Sequence, residues 1–454
     1  MDDIDEIDTM DIEELRLRIR DDMPRVIDEL GRLVAIASVG YEGYDPAHVR
    51  TSATLTRDLL EDAGVADARL HELDGGHPAV IGHIDGPKGA PTVLLYAHHD
   101  VQPAPDPASW SSPPFEPEVR DGRLFGRGAA DDKSGIVVHL AALRAVGRDL
   151  RCSVSVLVEG EEECSTAHLA RLLDDNADLV RADVAIIADG GNVRTGVPTI
   201  GTSVRGSTSV EVRVDVLPIA QHSGAFGGPL PDAIMSLARM LASLHDHDGN
   251  VAVEGLHRFT WDGTPVSEEE FREESRVFDQ IRLIGTGSIA DRTLSQPAIN
   301  VLAFEAPRVA DVANQIVPSA RAVVGMRLAP GDDGARAVAA LVDHLERAAP
   351  WGVRVTITTE EPGAGYLVDG GTGMYRAATA ALGEAFGAEV AEMGSGGSIP
   401  LVPMLADRVP GMPIVIVGAG DHLSNSHSTD ESVPLADLER LALAEAIVLM
   451  RLAG

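Results

Sequence analysis

Apolar and polar positions along the chain change period three times. From about residue 11 to 64 apolar residues recur three and four apart, as in IEELRLRIRDDMPRVIDELGRLVAI and VRTSATLTRDLLEDAG. That spacing predicts amphipathic helices joined by polar turns. Short unbroken apolar runs follow, AVIGHI, TVLLYAH, SVSVLVEGE and VAIIADG, with the helix-like GIVVHLAALRAVG among them. Each run has strand length, and strands alternating with helices predict an α/β sheet covered on both faces. Acids and histidines gather where these runs end, the edge at which open α/β sheets place their sites.

Near residue 202 the pattern changes. STSVEVRVDVL alternates with period two, as a half-solvated strand does. The helix pattern PDAIMSLARMLASLH, the strands AINVLAF and ARAVVGMRL, the helix GARAVAALVDHLERAA and the strand VRVTITTE complete the stretch. After about residue 365 the first style resumes with helix MYRAATAALGEAFG, strand PIVIVGAG and a C-terminal helix. The order predicts a discontinuous α/β domain, residues 1–201 and 366–454, interrupted by a smaller α+β domain at 202–365.

Composition narrows the chemistry. The chain has 454 residues, 44% hydrophobic, with a formal net charge of −34. Such acidity opposes nucleic acid and anionic membrane surfaces, so neither is an expected partner. No apolar run approaches the roughly 18 residues needed to span a bilayer, and the acidic beginning MDDIDEIDTM is no secretory leader; a cytoplasmic location is expected. The two cysteines, Cys152 and Cys164, form no CxxC, which excludes a thiolate zinc knot and a disulfide framework. A bound metal would need histidine and carboxylate ligands.

Such residues occur in five places: His98 and Asp100, Asp131 and Asp132, the run EGEEE at 159–163, Asp189, and His427. A mixed histidine–carboxylate set suits Zn²⁺, Mn²⁺ or Co²⁺. Two ions roughly 3.5–4 Å apart can share a water and polarise a carbonyl, with one bridging carboxylate and a further carboxylate as base. Taken singly, each place has an ordinary structural reading. EGEEE resembles a solvated charge run, Asp131 or Asp132 could cap a helix, Asp189 could serve a turn, and His427 could be a loop residue. Their ordered co-occurrence argues otherwise.

The segments LLYAHHDVQP, GRGAADDKSG, EGEEE, AIIADGG and NSHSTDES resemble, in that order, the M20 family of metallopeptidases. DVQP, the doubled aspartate, HSGAFGG and GGSIP are most similar to its dipeptidase, carnosinase-like branch. The resemblance implies a di-metal exopeptidase-type catalytic domain, a mixed sheet flanked by helices, with an inserted ferredoxin-like lid and dimerisation domain. It implies two divalent ions per subunit, zinc foremost. His98 and Asp189 would hold one ion, Glu163 and His427 the other, and Asp131 would bridge them across a cis peptide to Asp132. Asp100 would orient the His98 ring, and Glu162 would be the general base. On the substrate side it implies His222 as oxyanion donor, reaching a partner subunit in a homodimer. Arg327 would anchor the substrate carboxylate, and the loop of Gly396, Gly397 and Ser398 would offer backbone donors. Cys164 reads as a small packed side chain.

Two substrate-side departures stand out: Gly394-Ser395 replaces the Arg-Glu usual before GGSIP, and a histidine often found near GYLVDGGTGMY is absent. The implied reaction is amide hydrolysis of a small carboxylate-bearing substrate, foremost a dipeptide. The rivals are an N-acyl amino acid deacylase with the same centre, a metallophosphoesterase, and a catalytically dead binding protein. HDHDGN, residues 245–250, carries more metal-like letters than AHHD, but after an amphipathic helix it reads as a solvated turn. His99, between His98 and Asp100, is expected to face away from them.

Overall fold

The computed structural model describes residues 9–104 and 106–452. The chain divides into two compact units: residues 1–202 with Val368–Met393 and Ile399–Gly454, and Ser203–Leu367 with Gly394–Ser398.

The first unit is built on a six-stranded mixed sheet. Its strands are β1 (Arg69–His71), β2 (Ala79–Ile84), β3 (Thr92–His98), β4 (Ser153–Glu159), β5 (Val184–Ile187) and β6 (Ile414–Ile416), in the order β1-β2-β4-β3-β5-β6. β3 runs parallel to both β4 and β5, and β6 runs parallel to β5; the β1–β2 and β2–β4 pairs are antiparallel. The parallel interior explains the unbroken apolar runs, since both faces are covered. In β3, every residue from Val93 to His98 is buried. The covering helices include α1 (Thr9–Val34), α2 (Pro46–Asp62), α3 (Lys133–Val146), α4 (Gly373–Phe386) and α5 (Leu435–Arg451). α3 buries all but one of its residues, and so carries an apolar sequence rather than an amphipathic one.

The second unit has a βαββαβ order: strand Gly206–Asp215, helix Ala233–Ala242, strands Ala298–Glu305 and Ser319–Leu328, helix Gly334–Ala348 and strand Arg354–Thr359. Ser319–Leu328 pairs with Ala298–Glu305 on one side and Gly206–Asp215 on the other, and Arg354–Thr359 closes the far side, all antiparallel. This is the ferredoxin-like arrangement. Val210, Val212 and Val214 point into its core while the residues between them do not, which is the period-two signal seen in the sequence.

The pattern reading misses the three-residue strands Glu118–Arg120, Arg123–Phe125 and Ser432–Pro434, which pair as one small antiparallel sheet. Three residues are too few to display a period. Gly394–Ser398, on the resumed side of the chain in sequence, groups with the second unit.

Candidate metal centre

The parallel strands set the site. β3 and β4 are in register so that His98 lies opposite Glu159, and β5 ends two residues before Asp189. All three therefore leave the sheet at its C-terminal edge. There the structure gathers two donor groups, each with ligand atoms within 4.8 Å of one another: His98, Asp131 and Asp189, and Asp131, Glu163 and His427. Asp131 belongs to both. Its Oδ1 lies 3.1 Å from His98 Nε2, and its Oδ2 lies 3.0 Å from His427 Nε2. His98 Nε2 is 3.8 Å from Asp189, and His427 Nε2 is 3.2 Å from Glu163.

Local structure explains how each donor is held. The Asp131–Asp132 peptide is cis. Asp132 caps α3 through the Gly135 amide, and its other oxygen accepts the His98 amide at 3.3 Å. His98 Nδ1 meets the main-chain carbonyl of Asp100 at 3.1 Å, with the Asp100 carboxylate at 3.6 Å. That carboxylate accepts the amides of Glu162 at 3.2 Å and Glu163 at 3.1 Å. Asp100 thus meets the His98 ring most closely through its carbonyl, while its side chain also holds the turn carrying both glutamates. His427 adopts a positive φ of 62°, a left-handed conformation costly for a residue with a Cβ, in a loop where Asn425 and Asp430 do the same. Its side chain is 54% exposed, whereas that of His98 is fully buried.

The doubled histidine divides cleanly. His99 turns from the cluster and places Nε2 2.9 Å from the Pro78 carbonyl, and burial pushes its pKa down to about 4. The acidic run divides too. Glu159 accepts the Tyr96 hydroxyl at 2.9 Å and Glu161 pairs with His168 at 2.9 Å, leaving Glu162 and Glu163 at the centre. Cys164 is half-buried, and burial pushes its thiol well above the ordinary range.

Charge crowding shows what the donors fit. Burial and the neighbouring carboxylates raise Asp189 to about 6 despite the His98 ring 3.8 Å away. Burial, followed by the charge of Asp189, also raises Glu162 and Asp132 well above the carboxylate range. At Asp131 burial acts upward, but hydrogen bonds from His427 and His98 outweigh it and hold the group low. His427 is pushed up to about 10 against burial by Asp131 and Glu163. Divalent cations among these oxygens would relieve the repulsion, and the imidazole–carboxylate donors suit borderline ions.

Sequence reading missed several supports. Gln102, in DVQP, donates to the Glu163 carboxylate at 2.8 Å, and the Tyr41 hydroxyl donates to the Glu163 carbonyl at 2.6 Å. Glu431, four residues after His427, is wholly buried and ion-paired with Arg127. Gln102 was readable as a polar residue fixed two places after Asp100; Glu431 looked like one more surface charge in STDES.

The remaining predicted residues belong to the second unit. His222 is exposed, and its Nδ1 accepts the amides of Gly224 at 3.0 Å and Ala225 at 3.2 Å. Those bonds leave the ring proton on Nε2. Arg327 lies on Ser319–Leu328 opposite Ser207 and Ala298, near the buried Arg205, whose pKa falls to about 10 through burial and the Arg327 charge. Gly396 and Gly397 are exposed and Ser398 is half-buried. The Gly397 amide donates to Ser395 Oγ at 3.2 Å, and its carbonyl accepts the Arg205 amide at 3.0 Å.

Residues 94–451 match Peptidase family M20/M25/M40, and the chain belongs to that family. It is a metallopeptidase, an enzyme that hydrolyses peptides. Among its relatives is the cysteinylglycine-S-conjugate dipeptidase of Corynebacterium striatum, 37% identical over 94% of this chain and 95% of that protein. The human Beta-Ala-His dipeptidase is 26% identical over 90% of this chain and 82% of its own length. Among solved structures, the dipeptidase Dug1p of Saccharomyces cerevisiae superposes with a TM-score of 0.85 at 19% identity, covering 97% of this chain and 98% of the other. Human carnosine dipeptidase 1 gives 0.83 at 23% identity, covering 97% and 98%.

Proposed function

We propose that the protein is a dipeptidase working through two divalent ions held by His98, Asp131, Asp189, Glu163 and His427, with zinc the first candidate. The observation that carries this reading is the division of Asp131, one oxygen toward His98 and the other toward His427. Bound there, such ions supply Lewis acidity, polarising a carbonyl and acidifying water. Glu162 is the base: its carboxylate takes the proton of the attacking water and returns it to the leaving amine. Asp100 holds the Glu162 and Glu163 amides, so base and ligand move as one turn. His222 donates from Nε2 to the oxyanion. Arg327 binds the substrate carboxylate with a planar guanidinium fork, and the loop of Gly396, Gly397 and Ser398 lines the same subsite.

The proposal extends to organisation. Residues 202–365 act as a lid, and the protein is a homodimer through it. The edge strand Ala298–Glu305 supports this, because Val301, Leu302 and Phe304 are 48%, 65% and 44% exposed on a flank with no further strand among the described residues. Both cysteines are free, which fits a reducing, cytoplasmic setting. Among the described residues no helix is long and apolar enough to cross a membrane.

The test is a substrate panel on chelator-treated and metal-reloaded protein. Cys-Gly, its S-alkyl conjugates and β-Ala-His should be cleaved only after a divalent ion is restored. Preferential cleavage of N-acetyl or N-succinyl amino acids would replace the dipeptidase reading with a deacylase.

A further inference from the structure

The donors of the proposed metal pair are brought together by two loops distant in sequence. Asp131 sits in the glycine-rich turn after Phe125, and His427 in the loop before Ser432–Pro434. Glu431, 300 residues beyond Asp131, belongs to neither donor group, yet its side chain is fully buried between the two loops. Its Oε1 accepts the amides of Ala130 at 2.9 Å and Asp131 at 3.1 Å. Its Oε2 accepts the Gly128 amide at 3.0 Å and Arg127 Nη1 at 2.5 Å. The Gly126 amide donates to the Glu431 main-chain carbonyl at 2.9 Å. Arg127 completes the tie by donating to the carbonyl of Ser428, the residue after His427, at 3.2 Å.

A buried carboxylate using both oxygens on four donors has little freedom, and charge-assisted bonds of this kind are the strong ones. Three of its donors are successive or near-successive amides of the turn that ends in Asp131. We propose that Glu431 is a positioning residue that fixes the shared carboxylate of Asp131 relative to His427, so that one aspartate can serve two ions. It touches no substrate and contacts a proposed ligand only through that ligand's amide. The inference rests on the two-ion reading and deepens it.

The experiment is zinc titration by calorimetry on metal-depleted wild type, Glu431→Gln and Asp437→Asn, with thermal melting of each metal-free protein. In Glu431→Gln one oxygen becomes an amino group facing two donors, so half the clamp fails while size is kept. Asp437 provides a matched control, being buried and accepting one backbone amide, Gly196, at 2.7 Å and one arginine, Arg440, at 3.0 Å. Both variants should melt lower than wild type. Glu431→Gln should also bind zinc about 10–100-fold more weakly, the usual effect of losing a group that orients ligands, whereas Asp437→Asn should keep wild-type affinity. Should Glu431→Gln fail to fold, Glu431→Asp retains the charge but not the reach and should show the same weakened binding. Unchanged affinity in the folded Glu431 variant, or equal weakening in both, would overturn the inference and make Glu431 an ordinary buried ion pair. Wild type binding fewer than two ions would overturn the two-ion reading and this inference with it.

Discussion

Two short stretches of this chain look like metal sites, and only one is built like one. HDHDGN packs two histidines and two aspartates into six residues of the second unit, and the Asp246 carboxylate among them serves the turn itself. Asp246 accepts the Asn250 side-chain amide at 3.1 Å on Oδ2 and the main-chain amides of Asn250 and Asp248, each at 2.9 Å, on Oδ1. These bonds, the Asn250 side chain first, hold its carboxyl below the usual range. His247 and Asp248 are exposed. AHHD offers fewer donors, but His98 is buried at the end of a parallel strand whose neighbours deliver Glu159 and Asp189 to the same edge. Donor density along a chain is therefore a poor guide to donor density in space. A turn can spend its carboxylate on its own amides, whereas parallel strands collect donors from distant sequence at one edge.

The largest expected break at the strand edge is Glu162→Gln. Turnover should fall by about 10²–10⁴-fold while metal content, measured by atomic emission, stays at the wild-type level; loss of metal would make Glu162 a ligand instead of the base. Next comes His98→Ala, which should lose bound zinc, set against His99→Gln, which should retain it because the His99 ring meets the Pro78 carbonyl and not the donor groups. Retention in the first and loss in the second would reverse their roles.

A structural break follows at the loops behind Asp189. A Cβ on Gly418 would lie 1.9 Å from the Gly190 carbonyl oxygen, a backbone atom with nowhere to retreat. Gly418→Ala should therefore cost about 1–3 kcal/mol or more in urea denaturation and loosen zinc binding. A milder, pH-dependent effect is expected at His139, whose Nδ1 meets Glu445 at 2.9 Å and whose Nε2 meets the Tyr96 carbonyl at 3.1 Å. Burial acts to lower its pKa, but Glu445 prevails and the net shift is upward. A raised folded-state value makes the charged ring's contribution complete below the unfolded value of about 6.5 and lost as pH rises through the folded one. The melting-temperature gap between wild type and His139→Gln should therefore be widest in acid and narrow toward alkaline pH. Smallest of all is the joint change of His245 and His247 to alanine, which should leave zinc stoichiometry unchanged.

The same contrast shows what sequence could reveal. Strands such as Thr92–His98 were readable because a strand covered on both faces must be apolar throughout, and Gly206–Asp215 because one covered on a single face must alternate. His98 was separable from His99 by the alternation of an extended strand end. The donors Asp131, Glu163, Asp189 and His427 were recognisable through their order and family resemblance, not through spacing, because the fold alone brings them within reach. Glu431 escaped notice because three of its four partners are backbone amides, which have no letter in a sequence, and the fourth, Arg127, lies 304 residues away along the chain. Asp100 was expected to orient the His98 ring; its carbonyl lies 3.1 Å and its carboxylate 3.6 Å from Nδ1, and the carboxylate also accepts the Glu162 and Glu163 amides, contacts that side-chain patterns cannot encode.

The central claim is that Asp131 is shared. Anomalous diffraction at the zinc edge from zinc-loaded crystals tests it most directly. Two peaks should flank the Asp131 carboxylate, one beside His98 and Asp189 and the other beside Glu163 and His427. A single peak there, or a peak on His245 and Asp248 in place of the pair, would contradict the account.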